Sequence, residues 1–462
     1  MRKRKREGRS GITAALGASL LVCCASVFGQ SPRYAIFDVG HLGNPSQATC
    51  RGSNDLGEVT GWGYYLQQSA STHAFTWKNG RITDLGAVSS CCSIGFAMNN
   101  LGDVVGESTV ETSYVHMASV WPANGTPFTL GAFDDDESQA YDSNEMGQIV
   151  GYSDLPSGSK RAFLWEDGVM YDLGTLGGDY SSASAINNQG DIVGEATNAV
   201  GELRAFLYRD GVMTALAPIS SDPDSVAYAI NENGVIAGLA SVDTGGDRAV
   251  LWIDGVPQVL QQAANAGSGA WGMNDFNDAA GVIILGGDRT ACAWVNGEEL
   301  VLRDHLPPKA KWTELNFAWD INNSGMISGE GKYPPYTGSF EERGWVAVPV
   351  TPAFSLAQPV PGLAGRRNTL TASGVTPGKK VYFVYGLVGG GSVIPGCDLA
   401  ETLAAIQIEN AKVIGSATAD AQGIATLNTF VPDAARNAGD VLIQAVIPGD
   451  CVISTLVVEV FE

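Results

Sequence analysis

Basic residues and histidine are scarce in this chain of 462 residues, which has 27 Lys and Arg against 49 Asp and Glu, and four histidines. The chain also lacks the zinc spacings C-x-x-C and Cys/His, and no G-x-S-x-G, H-E-x-x-H or phosphate-loop motif occurs. The acidic balance argues against nucleic acid or an anionic membrane surface as a partner. The missing motifs leave no recognisable catalytic centre. The histidines lie far apart in the chain: His41, His73, His116 and His305.

Long apolar runs are also absent, except at the start. Residues 1–30 combine a basic segment with the apolar, uncharged stretch Ile12–Gly29, which predicts a secretory signal peptide. An uncleaved anchor is the alternative, because the apolar stretch is long for a signal. After signal cleavage we expect no membrane insertion. Without those 30 residues, which hold six Lys/Arg and one Glu, the chain has 21 basic and 48 acidic residues, net −27.

Six cysteines remain after residue 30, and in an exported protein some should pair. Cys397 and Cys451 stand alone in the C-terminal part, and we expect them to form a disulfide. For Cys50, Cys91 and Cys92 two alternatives stay open: one of the neighbours bridges to Cys50, or the neighbours pair with each other. Cys292 lies inside an apolar run and is predicted to be a buried free thiol.

A short motif recurs seven times, and its best copy is INNQGDIVG, Ile186–Gly194. Its crowded oxygen ligands could hold calcium, or they could form a tight turn between strands. The position of Asp191 is occupied by Val235 and Met326 in two other copies, and neither side chain can be a metal ligand. The position of Gly190 is always Gly or Asn, the residues that best tolerate a positive φ. We therefore interpret the motif as a structural turn. Its anchor asparagines follow at intervals of 43 to 48 residues: Asn54, Asn99, Asn144, Asn187, Asn231, Asn274 and Asn322.

Each repeat contains four short apolar runs rich in β-branched and aromatic residues. Four strands per repeat of this length are typical of a β-propeller blade, with a β-solenoid as the alternative. The third run ends in an aromatic ring in most copies, as in Arg161–Trp165. These rings could stack on sugars, but we expect them to pack between neighbouring blades.

The run Arg161–Trp165 (RAFLW), the stretch Tyr171–Gly178 (YDLGTLGG) and His73-Ala74-Phe75 resemble the signatures of the HAF-repeat family of probable extracellular proteins. The resemblance covers about Tyr34 to Val350. It implies a secreted, propeller-like array, and it implies no reaction and no catalytic residue.

Beyond Val350 the repeat stops. Residues 351–361 contain three prolines and are predicted to be a linker, and residues 362–462 alternate like an antiparallel sandwich. The run Gly389–Ser392 is interpreted as a hairpin connection. The predicted fold is therefore all-β: a seven-bladed β-propeller over 31–350, followed by an immunoglobulin-like β-sandwich domain.

The ends of the predicted propeller should close on each other. The last repeat lacks its fourth run, and a lone run of that type precedes the first repeat. We therefore expect Tyr34–Val39 to pair with Arg343–Val348, which removes an open sheet edge.

One rim of the predicted propeller has turns of uniform length, and the other carries loops of variable length, where binding sites usually lie. That variable rim includes an acidic set that could bind calcium, the one cofactor considered, or could be a solvated surface. Its candidate metal ligands are Asp134, Asp136 and Asp179. The neighbouring acidic residues are Asp135, Glu137, Asp222 and Asp224.

The function expected from the sequence is a secreted binding or cell-surface interaction module for a polysaccharide or a protein. A polysaccharide lyase or glycosidase that uses acidic residues on the variable rim is the second hypothesis, and a structural spacer is the third. An enzyme needs two carboxylates, or a histidine and a carboxylate, within about 10 Å near the axis. A binding module needs exposed aromatic rings there.

Overall fold

The first described strand shows how the ends of the repeat region are joined. In the computed structural model, which describes residues 34–65, 71–88, 91–110, 115–134, 137–260, 267–333, 341–399 and 405–461, the chain starts with strand β1 (Tyr34–Asp38). The predicted signal segment and candidate ligand Asp136 lie outside these residues. The described parts are all-β, with many small sheets and short 3-10 turns such as Leu302–His305, Asp433–Asn437 and Pro448–Asp450. Within them, no helix has the length and apolar character that crossing a bilayer requires.

Each of the first six repeats forms one antiparallel sheet of four consecutive strands, because Gly, Asn and Asp punctuate its apolar runs. The strands of these sheets are β2 (Gly43–Ser53), β3 (Glu58–Tyr65), β4 (Thr72–Lys78), β5 (Arg81–Gly86); β6 (Ser93–Met98), β7 (Val104–Thr109), β8 (His116–Trp121), β9 (Phe128–Thr129); β10 (Ser138–Ser143), β11 (Ile149–Asp154), β12 (Lys160–Glu166), β13 (Val169–Asp172); β14 (Gly177–Ile186), β15 (Ile192–Asn198), β16 (Leu203–Arg209), β17 (Val212–Ala215); β18 (Ser225–Ile230), β19 (Ile236–Ser241), β20 (Asp247–Ile253), β21 (Val256–Val259); and β22 (Ser268–Met273), β23 (Ala279–Leu285), β24 (Asp288–Val295), β25 (Glu298–Val301).

The seventh repeat supplies three strands, β26 (Glu314–Ile321), β27 (Ile327–Tyr333) and β28 (Glu341–Pro349), and β1 is the fourth. The register of β1 on β28 runs from Tyr34 opposite Pro349 to Asp38 opposite Trp345. The predicted pairing of the first strand with the last repeat is confirmed. A single parallel bridge, Gln47 to Glu342, also joins this sheet to that of the first repeat.

The aromatic residues that end the third run pack in the core. Trp77, Trp252 and Trp294 are fully buried. Trp252 belongs to a cluster that includes Ala185 and Val193 of the preceding sheet. For these three rings the prediction of packing in the core is confirmed, and their burial excludes the sugar-stacking alternative. Trp165 and Tyr208, which end the same run in two other repeats, are half-buried.

The C-terminal residues form three further sheets, in the orders β29-β30-β35, β34-β31-β36-β37 with β38 beside β36, and β32-β33. The segment predicted as a linker contributes Ser355–Leu356 to the first of these sheets, where it pairs with Ser373 and Ala372. The stretch interpreted as a hairpin connection is itself the strand Gly389–Val393. The strands are β29 (Ser355–Leu356), β30 (Arg366–Ser373), β31 (Lys380–Gly386), β32 (Gly389–Val393), β33 (Ala405–Ile408), β34 (Lys412–Thr418), β35 (Ile424–Val431), β36 (Asp440–Ile447), β37 (Val452–Ile453) and β38 (Val457–Val460).

The C-terminal sheets share a hydrophobic core with the repeats. One buried cluster contains Phe37 and Trp77 from the repeat region and Ile394 and Ile408 from the C-terminal sheets. Lys311 also reaches Glu409 across this boundary, with Nζ 2.9 Å from Oε1. The closing strand β1 is therefore covered by the C-terminal sheets.

Candidate ligand-binding site

The acidic candidates from the sequence do not form a group in the part of the chain that the structure describes. Asp134 and Asp179 are both exposed, and the backbone carbonyl of Asp179 accepts a hydrogen bond from Arg161. Asp136 lies outside the described residues. Among the described residues, no set of three or more His, Cys, Asp or Glu side chains is arranged to hold a metal ion. In the turn motif, the Asp191 carboxylate accepts from Arg209 Nε at 2.7 Å.

The first strand of each repeat contains a bulge at one equivalent position, three residues before the anchor asparagine. The register of β10 on β11, for example, jumps from Ala140 to Asp142 and leaves Tyr141 unpaired. The same shift occurs at the equivalent residue of the other repeats, and in the first it spans Arg51 and Gly52. Bulges of this kind redirect a side chain out of the sheet and recur beside binding sites.

The glycine that closes each repeat motif accommodates this bulge. At Gly151 an added Cβ would overlap the carbonyl oxygen of Gln139, two residues before the bulge, and the closing glycines of the other repeats face equivalent carbonyls. Only a residue without a side chain allows the two backbones to approach so closely. The motif glycine therefore permits the bulge, and the bulge presents the side chain.

All seven bulge residues line one cavity of about 380 Å³. They are Arg51, Phe96, Tyr141, Ser184, Tyr228, Trp271 and Trp319. The remaining lining residues lie in the first, second or third strands of the repeats, among them Lys160 and Tyr180. We call this cavity the aromatic funnel. Because every repeat contributes the same position, the funnel lies where all seven sheets converge.

Ring contacts arrange the funnel side chains against one another. Tyr228 and Trp271 are stacked with centroids 5.4 Å apart, and Trp271 meets Trp319 edge to face at 6.1 Å. Phe96 and Tyr141 form another edge-to-face pair at 5.3 Å. Such pairs stabilise by about 0.5–1.5 kcal/mol beyond the burial of their area, so the ring positions are set before a ligand arrives.

Two cations and one carboxylate stand among these rings. The guanidinium carbon of Arg51 lies 3.9 Å from the centre of the Trp319 ring, and Lys160 Nζ lies 3.7 Å from the centre of the Tyr152 ring. Glu195 accepts a hydrogen bond from the Tyr180 hydroxyl, with the oxygens 2.5 Å apart.

Burial shifts the pKa values of the carboxyl and phenol groups that line the funnel. It raises the pKa of Glu195, although the hydrogen bond from Tyr180 opposes that shift. Burial also raises the pKa of Tyr228 to about 12 and raises the pKa values of Tyr141 and Tyr180 further. The phenols are therefore neutral at neutral pH and act as hydrogen-bond donors and stacking surfaces.

A second cavity, of about 210 Å³, lies at the turn end of the same first strands. There the side-chain amide of each anchor asparagine donates to the backbone carbonyl of the next, at 2.8 to 3.3 Å, and the seventh donates to the first. The residue after each anchor forms a parallel cycle, in which its backbone N–H donates to the equivalent side chain of the next repeat. The distances in that cycle are 2.7 to 3.1 Å.

Each anchor asparagine also folds its own turn. The Oδ1 atom of Asn187 accepts from the backbone N–H groups of Gln189 and Asp191, at 3.1 and 3.0 Å. The other anchors have the same pair of hydrogen bonds two and four residues on. Gly190 has φ of 81°, the left-handed conformation that the sequence predicts for it.

Two partly buried aspartates, Asp142 and Asp320, lie one residue past the bulge, where the other five repeats have Gly or Ala. Asp142 accepts from the backbone N–H of Ser143 and of Ile186 at 2.8 and 2.9 Å. Burial, with a smaller contribution from the charges of Asp320 and Glu232, raises the pKa of Asp142 to about 7, against the opposing effect of the two backbone hydrogen bonds. Burial likewise raises the pKa of Asp320.

The cysteines of the described residues comprise one disulfide, two buried thiols and two half-buried neighbours. Cys397 and Cys451 form a disulfide that closes 54 residues of chain. Cys50 is a buried free thiol, so the alternative in which it bridges to Cys91 or Cys92 is wrong. The Sγ atoms of Cys91 and Cys92 lie 2.8 Å apart. Cys292 is a buried free thiol, as predicted.

The sequence contains a signal for the funnel that is separate from the acidic residues of the variable rim. When the seven motifs are aligned on their anchor asparagines, the third residue upstream is aromatic in five copies and arginine in a sixth. In a regular strand, residues at this position would all lie on one face of the sheet, and their aromatic character would indicate an ordinary hydrophobic core. Only the bulge turns it into a cavity lining.

No known family model matches the chain, and no curated protein matches it. Among solved structures, a puromycin-hydrolyzing peptidase of Mycobacterium tuberculosis is similar at a TM-score of 0.44 and 12% identity, covering 73% of this chain and 60% of the peptidase. A fungal alcohol oxidase of the AA5 family, in complex with copper, is similar at a TM-score of 0.40 and 14% identity, covering 93% and 99% of the two chains. Hydrazine synthase of Kuenenia stuttgartiensis is similar at a TM-score of 0.31 and 9% identity, covering 86% of this chain and 59% of the synthase. Likeness at this level carries no argument about function.

Proposed function

We propose that this chain is a secreted seven-bladed β-propeller of the HAF-repeat type, followed by an immunoglobulin-like β-sandwich, and that it binds a glycan in the aromatic funnel. The closed cycle of seven asparagines and the pairing of β1 with β28 support seven blades around one axis. The basic and apolar residues 1–30 support secretion, with cell-surface attachment by an uncleaved segment as the alternative.

One observation carries the binding function: seven equivalent residues, five of them aromatic, converge on one cavity. Aromatic faces match the apolar faces of sugar rings, and hydroxyl groups such as that of Tyr228 supply hydrogen bonds at the edges. The strands that carry these side chains form a rigid scaffold, which holds the lining residues in place before a ligand binds.

Catalysis by a lyase or glycosidase is the competing hypothesis, and the Glu195–Tyr180 pair favours it most. A carboxyl group with a raised pKa suits a general acid. Glycoside cleavage, however, uses a pair of carboxylates, and among the described residues that line the funnel Glu195 is the one carboxylate. The raised pKa of Tyr180 also makes its phenol a poor base. Binding without turnover therefore fits the funnel better.

A glycan array probed with the purified mature protein tests the proposal. We expect the Trp271→Ala/Trp319→Ala variant to lose affinity for the bound glycan by at least about tenfold, because two stacking faces are removed. Phe276→Ala is the matched control, since Phe276 is an aromatic residue in a repeat turn with 71% of its surface exposed, away from the funnel. An array without bound glycans, or equal binding by wild type and the tryptophan variant, would refute the function. Release of reducing sugar from the bound glycan would instead support the enzyme.

A further inference from the structure

The two cations of the funnel have no carboxylate partner among the described residues. Ten of the other Lys and Arg side chains form ion pairs there, whereas Arg51 and Lys160 form none. Both lie over aromatic rings instead. Both cations therefore face a cavity whose described lining contains the single carboxyl group of Glu195, and neither is held by an ion pair that a ligand would have to break.

Arg51 also has an unused donor. Its Nε is buried and has no hydrogen-bond partner. A buried donor without an acceptor destabilises the free protein, so a ligand that supplies an acceptor removes that cost on binding. Burial lowers the pKa of Arg51, and the charge of Glu330 opposes that shift.

The size of the funnel limits what can enter it. A volume of about 380 Å³ is near the lower end of the range of about 300–1,000 Å³ for ligand sites. The funnel therefore suits one end of a chain rather than an internal segment. The acidic exterior of the protein, moreover, repels a long polyanion and favours a ligand that carries its charge at one end.

We infer that the funnel binds the terminal sugar of a glycan and that this sugar carries an anionic group, for which Arg51 and Lys160 supply the positive charge. The ring of the sugar stacks on Trp271 or Tyr228, and its anionic group accepts from the guanidinium of Arg51. A carboxylate and a sulfate ester share this chemistry. The inference rests on the proposed glycan binding and adds the charge of the ligand to it.

Calorimetric titration with matched disaccharides tests the inference. The probes are disaccharides ending in glucuronic, galacturonic or sialic acid, each beside its carboxyl-reduced counterpart, and a disaccharide ending in glucose 6-sulfate. We expect at least one acid-ended disaccharide to bind at least about tenfold more tightly than its reduced counterpart. The sulfate-ended probe shows whether a sulfate ester replaces the carboxylate.

Arg51→Met and Lys160→Met are each expected to abolish that preference, so that the acid-ended disaccharide binds no more tightly than its reduced counterpart. Lys380→Met is the matched control, because Lys380 lies 5.0 Å from the Tyr382 ring centre in the C-terminal sheets, outside the funnel. Thermal melts establish whether each variant is folded. If Arg51→Met does not fold, the binding preference of Lys160→Met decides the test.

The outcomes separate the two proposals. Equal or tighter binding of the reduced sugars overturns the anionic ligand and leaves glycan binding intact. Preference for acidic sugars that survives in both variants also overturns it. If no disaccharide binds and the array detects no glycan, both proposals fail.

Discussion

The side-chain amide of Asn322 donates a hydrogen bond to the backbone carbonyl of Asn54, with 2.8 Å between Nδ2 and O, although 268 residues separate them. This contact closes the cycle of anchor asparagines. Asn322→Asp removes the donor but keeps the Oδ1 acceptor for Ser324 and Met326.

We expect Asn322→Asp to lower the free energy of unfolding by about 1–3 kcal/mol, because a buried carbonyl loses its donor and a charge is buried. Urea denaturation measures this. Asn437→Asp is the control, since Asn437 is an exposed asparagine of the C-terminal part and its loss should cost less than about 0.5 kcal/mol. An equal effect of both changes would mean that the cycle contributes no specific stability.

Gly391 of the C-terminal sheets faces Phe37 of the closing strand. A Cβ at this glycine would lie 2.7 Å from Cδ2 of the Phe37 ring. We expect Gly391→Ala to destabilise the protein by about 1–3 kcal/mol through overpacking. The comparison is Gly449→Ala, where an added Cβ meets nothing within 4 Å. Indistinguishable melting temperatures of the two variants would show that the C-terminal sheets do not press on β1.

Asp142 should make the stability of the fold depend on pH. Its pKa is raised to about 7 by burial, whereas an unfolded Asp has a pKa of about 3.9. The protonated group favours the folded state, so its contribution is fully present below the unfolded pKa and is lost as the pH rises through about 7. We expect the melting temperature of wild type to fall between about pH 5 and pH 8.5, and that of Asp142→Asn to fall less. Parallel pH profiles would contradict the assignment of this dependence to Asp142.

The Cys397–Cys451 disulfide closes a loop of 54 residues, which corresponds to about 4 kcal/mol in the chain-entropy model. We expect Cys397→Ala/Cys451→Ala to unfold at lower urea concentration than wild type. Cys292→Ala serves as the control for removing a buried sulfur without removing a crosslink. If thiol labelling of the unreduced, denatured wild type detected both Cys397 and Cys451, the disulfide would be absent.

The sequence by itself determined the local structure of the repeats. A turn-capping asparagine and a left-handed glycine such as Gly190 leave the backbone few alternatives, so the turns follow from covalent geometry. The burial of Trp77 was also predictable, because large apolar side chains pack in cores. The pairing of Tyr34 with the last repeat was predictable because open sheet edges are avoided.

Only the tertiary structure decided where the candidate site lies. Arg51, Trp271 and Trp319 occupy a column that would be ordinary sheet surface in a regular strand, and the bulge that turns them into one cavity depends on a contact between the closing glycine and a neighbouring backbone carbonyl. The pairing of Ser355–Leu356 and of Gly389–Val393 was hidden for a similar reason, since prolines and glycines obscure strand periodicity until a partner strand fixes them. Local sequence specifies turns and faces, whereas convergence of seven repeats on one point is a property of the assembled array.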